Sequence, residues 1–197
     1  MKKVIGITGG IATGKSQVTA YLRAQGHAVI DADEVVHALQ APGAPLSGAI
    51  AETFGGDFLS ADGAVDRAKL GALVFSDIAA NKKLSALTEK IVRSELLRQR
   101  DAAADSLVFM DIPLLFEQHY ENEVDEIWLV YAPRNVQLSR LVARNQLTEA
   151  AANARLDAQF SIEEKCARAD VILENTRTRQ ALIEAIKVQL ARLLKQR

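Results

Sequence analysis

The sequence predicts an α/β fold. It should hold a five-stranded parallel sheet, a helical insertion between strands two and three, and a helical hairpin between strands four and five. Three observations carry that prediction. Residues 4–7, 28–30, 107–110, 127–131 and 171–173 form short apolar runs suited to strands buried on both faces. Segments of helical period separate them, the alternation that builds parallel sheets with right-handed crossovers. A glycine-rich turn joins the first run to the first helix, as in proteins that hold phosphate at a helix N-terminus.

That turn comes first along the chain. Residues 9–16, Gly9-Gly10-Ile11-Ala12-Thr13-Gly14-Lys15-Ser16, fit G-x-x-x-x-G-K-[ST] without a gap. Glycine lets backbone N–H groups close around phosphate oxygens, and the helix that begins near Gly14 turns its positive end to the same anion. Lys15 suits the β- and γ-phosphates, and the Ser16 hydroxyl suits Mg²⁺. The motif makes the loop a phosphate-binding P-loop.

Gln25-Gly26-His27 stops the first helix, and the second strand runs into Asp31-Ala32-Asp33. The two aspartates are expected next to the phosphate loop. Asp33 is placed to take the proton of an attacking hydroxyl, while one of the pair could instead cap the helix that begins at Glu34. Ala41-Pro42-Gly43-Ala44-Pro45 breaks the pattern. Beyond it, residues 46–54, a segment capped by Asp66, and residues 78–102 read as helices, the last with Leu84, Leu87, Ile91, Leu96 and Leu97 at helical spacing.

The third strand ends at Asp111, either a second acid near Mg²⁺ or a strand-end turn residue, with Glu117 on the loop after it as a contact to substrate or to a neighbouring group. Pro133 stops the fourth strand. Helices follow over 134–145 and, capped by Thr148, as far as Gln159. Arg140 and Arg144 share a face four residues apart, with Arg155 on the next helix, the layout either of a lid that closes over a nucleotide or of a solvated helix face. Residues 163–169 mix charges and read as a solvated helix or turn. Trp128 is expected in the core, Cys166 is expected to be inert, and the histidines show no metal-ligand spacing, although His37 lies close enough to Asp33 for a substrate contact. Residues 178–195 form a last amphipathic helix.

Composition narrows the function classes. A net charge of −1 offers no field for nucleic acid or an anionic membrane, and no run of 18 apolar residues occurs. One cysteine excludes an internal disulfide. The expectation is a cytoplasmic enzyme with no nucleic-acid or membrane partner; oligomeric state is left open.

Taken in order, these residues resemble the dephospho-coenzyme A kinase family over nearly the whole chain. The resemblance rests on residues 5–11 with Gly14-Lys15-Ser16, and on Val29-Ile30-Asp31-Ala32-Asp33. It continues through Pro42-Gly43, Phe54-Gly55, Asp62-Gly63, Asp66-Arg67 and Val74-Phe75-Ser76. Its most diagnostic run is Asp111-Ile112-Pro113-Leu114-Leu115-Phe116-Glu117. Arg140-Leu141, Arg144, Arg155, Gln159, residues 169–172 and Asn175 complete it.

The resemblance implies a P-loop NTPase fold with a nucleoside-monophosphate-kinase-like core over 1–40, 103–133 and 166–197, a helical coenzyme A domain over 41–102 and a lid over 134–165. It implies transfer of the ATP γ-phosphoryl group to the ribose 3′-hydroxyl of dephospho-CoA. Lys15, Asp33 and Arg140 would be catalytic. Gly10, Ile11, Ala12, Thr13, Gly14, Lys15, Ser16, Gln17, Arg144 and Asn175 would form the ATP site, and Asp33, His37, Leu115 and Glu117 would meet the acceptor. Ser16 and Asp111 would hold Mg²⁺. The chain departs from the family pattern at Ala12 and Thr13, where glycine and serine are usual, at Gln17 for threonine, and at Glu89-Lys90 for His-Pro. It also lacks a glycine shortly after Asn175.

The rivals are another small-molecule kinase, acting on a nucleoside monophosphate or a sugar acid, and a P-loop GTPase. The latter needs an N-K-x-D motif, which the sequence lacks.

Overall fold

The computed structural model describes residues 2–195. Its five strands are β1 (Lys3–Gly9), β2 (Ala28–Asp31), β3 (Leu107–Asp111), β4 (Glu126–Tyr131) and β5 (Val171–Glu174), in the sheet order β2-β3-β1-β4-β5. β1 runs parallel to both β3 and β4, and β4 parallel to β5. All five expected strands are present, within two residues of their expected ends.

The order corrects one expectation. β2 is not adjacent to β1; β3 lies between them, so the acid at the end of the strand paired with β1 is Asp111. Local pattern makes a strand but does not choose its neighbours, which are set by how the crossovers pack. The chain leaves β1 towards β2 and leaves β4 towards β5, so it diverges in opposite directions from the carboxyl ends of two paired strands. Such a switch point is where open α/β sheets bind ligands.

The chain divides into two compact units. The first, 1–30 with 103–197, holds the sheet, α1 (Lys15–Ala24), α6 (Arg134–Asn145), α7 (Glu149–Asp157), α8 (Ile162–Arg168) and α9 (Arg179–Lys195). Ile5, Ile7, Phe109, Trp128 and Val130 meet Val18 and Leu22 of α1 and Leu182, Ile186 and Leu190 of α9 in its main core. Trp128 is fully buried, as expected, and packs edge-on against Phe109 at 5.6 Å between centroids. A smaller cluster, Leu141, Ala152 and Leu156, joins α6 to α7, and Ile11 and Ala12 of the phosphate loop pack against it.

The second unit, 31–102, is helical: α2 (Ala32–Leu39), α3 (Pro45–Phe54), α4 (Arg67–Ser76) and α5 (Ile78–Ala102). Leu39, Leu46, Ile50, Leu70, Val92 and Leu96 are buried. Pro45 occupies the first turn of α3, where its missing N–H costs nothing, and the Asp66 carboxylate caps α4 by accepting from the Lys69 N–H at 2.9 Å. The division falls after Ile30, not after residue 40, because α2 packs on α3 and α5.

Candidate active site

The phosphate loop is built largely from its own backbone. Gly14 stands at φ 92°, and an added Cβ there would run into the Asn175 amide, so the position admits glycine alone. Thr13 is fully buried, and its hydroxyl donates to the Gly10 carbonyl at 2.9 Å, which closes the loop. Ala12 holds φ 62°, left-handed backbone that glycine enters freely and alanine enters at a cost of about 1 kcal/mol. The departure from the family at this residue therefore carries strain. α1 begins at Lys15 with Gly14 as its N-cap and with no side-chain cap bond, so its first N–H groups remain for an anion.

Lys15 forms an ion pair with Asp111, at the carboxyl end of β3 beside β1. Asp111 is 2% exposed. An acid and a lysine expected to meet different parts of a Mg–nucleotide thus meet one another in this structure. The Ser16 side chain is exposed, and Gln17 is partly buried.

The far wall comes from α6 and the turn after β5. The Arg140 guanidinium donates to two backbone carbonyls, Asn175 at 2.9 Å and Ala12 at 3.4 Å. Asn175 is 3% exposed, and its side-chain amide donates to the Thr13 carbonyl at 2.8 Å. Both residues were expected to touch ATP directly. In this conformation they brace the loop that would hold it. Arg144 is exposed and donates to the Asn145 side chain at 2.9 Å, and Arg155 is also exposed.

Gln137 escaped the sequence reading. It is 4% exposed, its amide nitrogen donates to the Ala132 carbonyl at 2.8 Å, and a Cβ at Gly10 would strike its Oε1. Gly10 is therefore a position of close approach as well as a turn residue. The signal that could have found Gln137 was its place three residues before Arg140 on one helix face.

The run after β3 divides by burial. Leu115, expected to meet the acceptor, has its side chain fully buried in the core, where a Cβ at Gly6 would lie 2.7 Å from its Cδ1. Glu117 pairs with Lys165 at 2.8 Å and accepts from the Phe160 N–H at 3.0 Å. Its Oε2 is buried without a hydrogen-bond partner, an arrangement that favours a ligand or water bringing a donor. Residues 163–168 belong to α8, which opens with a Ser161–Glu164 capping box. The segment is the helix expected, exposed at Glu163, Glu164, Ala167 and Arg168, but it buries Lys165, which the solvated reading did not foresee.

Asp31 and Asp33 separate cleanly. Asp31 is the N-cap of α2: its carboxylate accepts from the Asp33 N–H at 2.9 Å and the Glu34 N–H at 3.3 Å. Asp33 is left exposed on the first turn, with His37 exposed one turn on. Glu89 pairs with Arg93 at 3.5 Å on α5, so it is a helix-surface residue. Burial, followed by the charge of Glu163, pushes the Cys166 thiol up, which makes it a poor nucleophile.

Among the described residues there is no cluster of three or more metal-ligating side chains, and no helix is long and apolar enough to cross a membrane. A broad cavity of about 580 Å³ opens at the amino ends of β4 and β5, away from the phosphate loop. Its acids are committed: Asp125 to the Val4 N–H, Asp170 to the Ile127 N–H, and Glu126 to Arg192.

Comparison with known proteins points to one family. The family model described as dephospho-CoA kinase matches residues 3–180. A dephospho-CoA kinase of Lactococcus lactis is 45% identical, covering 98% of this chain and all of the relative. A crystal structure of a Thermus thermophilus protein superposes with a TM-score of 0.82 at 36% identity, over 98% of each chain. A dephospho-CoA kinase from Campylobacter jejuni does so with a TM-score of 0.71 at 33% identity, over 95% of this chain and 96% of its own.

Proposed function

We propose, from the premise that the chain belongs to the dephospho-CoA kinase family, that it transfers the γ-phosphoryl group of ATP to the ribose 3′-hydroxyl of dephospho-CoA, giving CoA and ADP. The observation that carries the reading is the braced phosphate loop, with Lys15 and Asp111 paired across it and Arg140 and Asn175 bonded behind it.

In-line phosphoryl transfer needs positioning and charge stabilisation more than covalent chemistry. The backbone N–H groups of residues 10–16 and the α1 N-terminus receive the phosphate oxygens. Lys15 exchanges Asp111 for the β- and γ-phosphates as they enter. Asp33 accepts the proton of the attacking hydroxyl as the new O–P bond forms and the bond to the ADP oxygen breaks. Its carboxylate suits that role because helix capping falls to Asp31 instead. As the hairpin 134–165 closes as a lid, Arg140 exchanges the Asn175 and Ala12 carbonyls for the transferring phosphate, with Arg144 on the same helix face. The helical unit carries the acceptor, with His37 on its α2 face, and Glu117 offers its unmatched oxygen from the loop after β3.

Family kinases that use ATP generally need a divalent metal, and the donors here are hard oxygens, the Ser16 hydroxyl and the Asp111 carboxylate, which suit Mg²⁺. When bound, the ion would neutralise charge between the β- and γ-phosphates.

ADP release measured with dephospho-CoA beside AMP, CMP and gluconate tests the reading. Turnover with dephospho-CoA alone is expected. Background rates with dephospho-CoA, or faster turnover of another acceptor, would overturn it.

A further inference from the structure

Lysine is almost never fully buried without a partner. Lys165 on α8 has a side chain 0% exposed. Its ammonium pairs with Glu117 Oε1 at 2.8 Å and donates to the Pro113 carbonyl at 3.3 Å. The location of these partners matters more than the pairing. Pro113 follows Asp111 by two residues, and its carbonyl also accepts from the buried Thr8 hydroxyl at 3.2 Å, two residues ahead of Gly10. Glu117 Oε1 also accepts from the Phe160 N–H at 3.0 Å, in the turn that brings the chain from α7 to α8.

One ammonium therefore joins three pieces of the site. They are the strand that leads into the phosphate loop, the segment after the acid that holds Lys15, and the base of the hairpin that carries Arg140. Arg168 repeats the tie one turn along, lying 4.9 Å from the Phe116 ring and 5.7 Å from the Phe160 ring.

A buried ion pair is weak evidence for stability, since apolar residues of the same volume often do as well. What it adds is direction. An apolar side chain would fill the space but would not hold the Pro113 carbonyl and the Phe160 N–H at fixed places.

We infer that Lys165 is a positioning residue for phosphoryl transfer, which, through Glu117, fixes the base of the α6–α7 hairpin against the segments that support the phosphate loop. The kinetic half of this inference rests on the proposed reaction; the anchoring half does not.

The test compares the wild type with Lys165→Met, Glu117→Gln and the double variant. It uses kcat, KM for ATP and hydrogen exchange at the Phe160 amide, all at a temperature where melting curves show each protein folded. Lys165→Met is expected to lower kcat by about 10- to 100-fold with KM for ATP within about threefold, since small misplacements cost rate rather than binding. The Phe160 amide should exchange at least about tenfold faster. The double variant leaves no unpaired buried charge and keeps an acceptor for Phe160, so it should regain at least about threefold in kcat over Lys165→Met.

A folded Lys165→Met with wild-type kcat, or with unchanged exchange at Phe160, overturns the inference. So does a double variant no better than the product of the single effects. Should Lys165→Met not fold, Lys165→Gln, which removes the charge but keeps a polar side chain in its place, carries the same two readouts and the same refuting results. If the wild type fails to turn over dephospho-CoA, the proposed reaction falls, and the Phe160 exchange alone decides the anchoring.

Discussion

Replacing Asn175 tests whether the phosphate loop is held from behind by a side-chain amide. Asn175 is 3% exposed, and its amide nitrogen donates to the Thr13 carbonyl at 2.8 Å beside Gly14, where no Cβ fits. Asn175→Ala deletes the donor and leaves a buried carbonyl unmatched, a loss of about 1–3 kcal/mol. If the loop relaxes to recover solvent for that carbonyl, the same energy appears as weaker nucleotide binding, about 5- to 150-fold in Kd. Asn175→Asp should be worse than alanine, because a carboxylate oxygen then faces the Thr13 carbonyl from within a buried site. Packing alone would rank the two the other way, since Asp keeps the shape of Asn. The assay is titration with a fluorescent ATP analogue, with melting temperatures recorded for each protein. Equal Kd values for wild type and Asn175→Ala, or an Asp variant that binds better than the Ala variant, would refute the bracing.

Four further outcomes follow. Asp33→Asn should lower kcat by about 10²–10⁴-fold with ATP binding nearly unchanged, and a loss under about tenfold removes the base role. Ala12→Gly should change stability by less than about 1 kcal/mol, since relief of left-handed strain offsets glycine's extra entropy, whereas Ala12→Val should cost about 2 kcal/mol or more; equal melting temperatures would refute the strain at φ 62°. Leu115→Ala should cost about 2–5 kcal/mol in stability with KM for the acceptor unchanged in the folded protein, as a core residue requires; a selective rise in that KM would return Leu115 to the substrate site.

The last outcome concerns acid. Burial works to raise the Glu126 carboxyl, but hydrogen bonds from Arg192, Trp128 and Lys3 outweigh it and hold the group below its ordinary 4.5. Its folded-state value is therefore depressed, so its stabilisation is complete above the unfolded value and is lost as pH falls through the folded one. Glu126→Gln should melt lower at neutral pH and lose less stability than wild type on acidification below about pH 4.5; parallel acid limbs would refute this.

Much of the site could be read from local spacing. The phosphate loop, the Asp66 and Thr148 caps and the five strands depend on residues a few positions apart, and they appear where periodicity and turn chemistry put them. Gln137 and Lys165 could not be read this way. A polar residue in a charged or amphipathic stretch looks solvated until the element opposite it is known. For Lys165 that element is Glu117, which lies 48 positions earlier in the chain (165 − 117 = 48).

The sequence by itself determined the chemistry available: a loop suited to phosphate, an aspartate past the second strand, arginines on a helical hairpin, and a family resemblance carried most by the 111–117 run. Tertiary structure decided which of those groups are committed. The sheet order put Asp111, not the end of β2, on the strand paired with β1, and packing left Asp33 exposed while Asp31 took the local cap of α2. Packing also turned Leu115 into core and turned Lys165 from a surface charge into an anchor. The physical reason is one of range. Hydrogen bonds along a turn or a helix are made by neighbours in sequence, whereas burial and ion pairing depend on which distant segment the fold brings alongside.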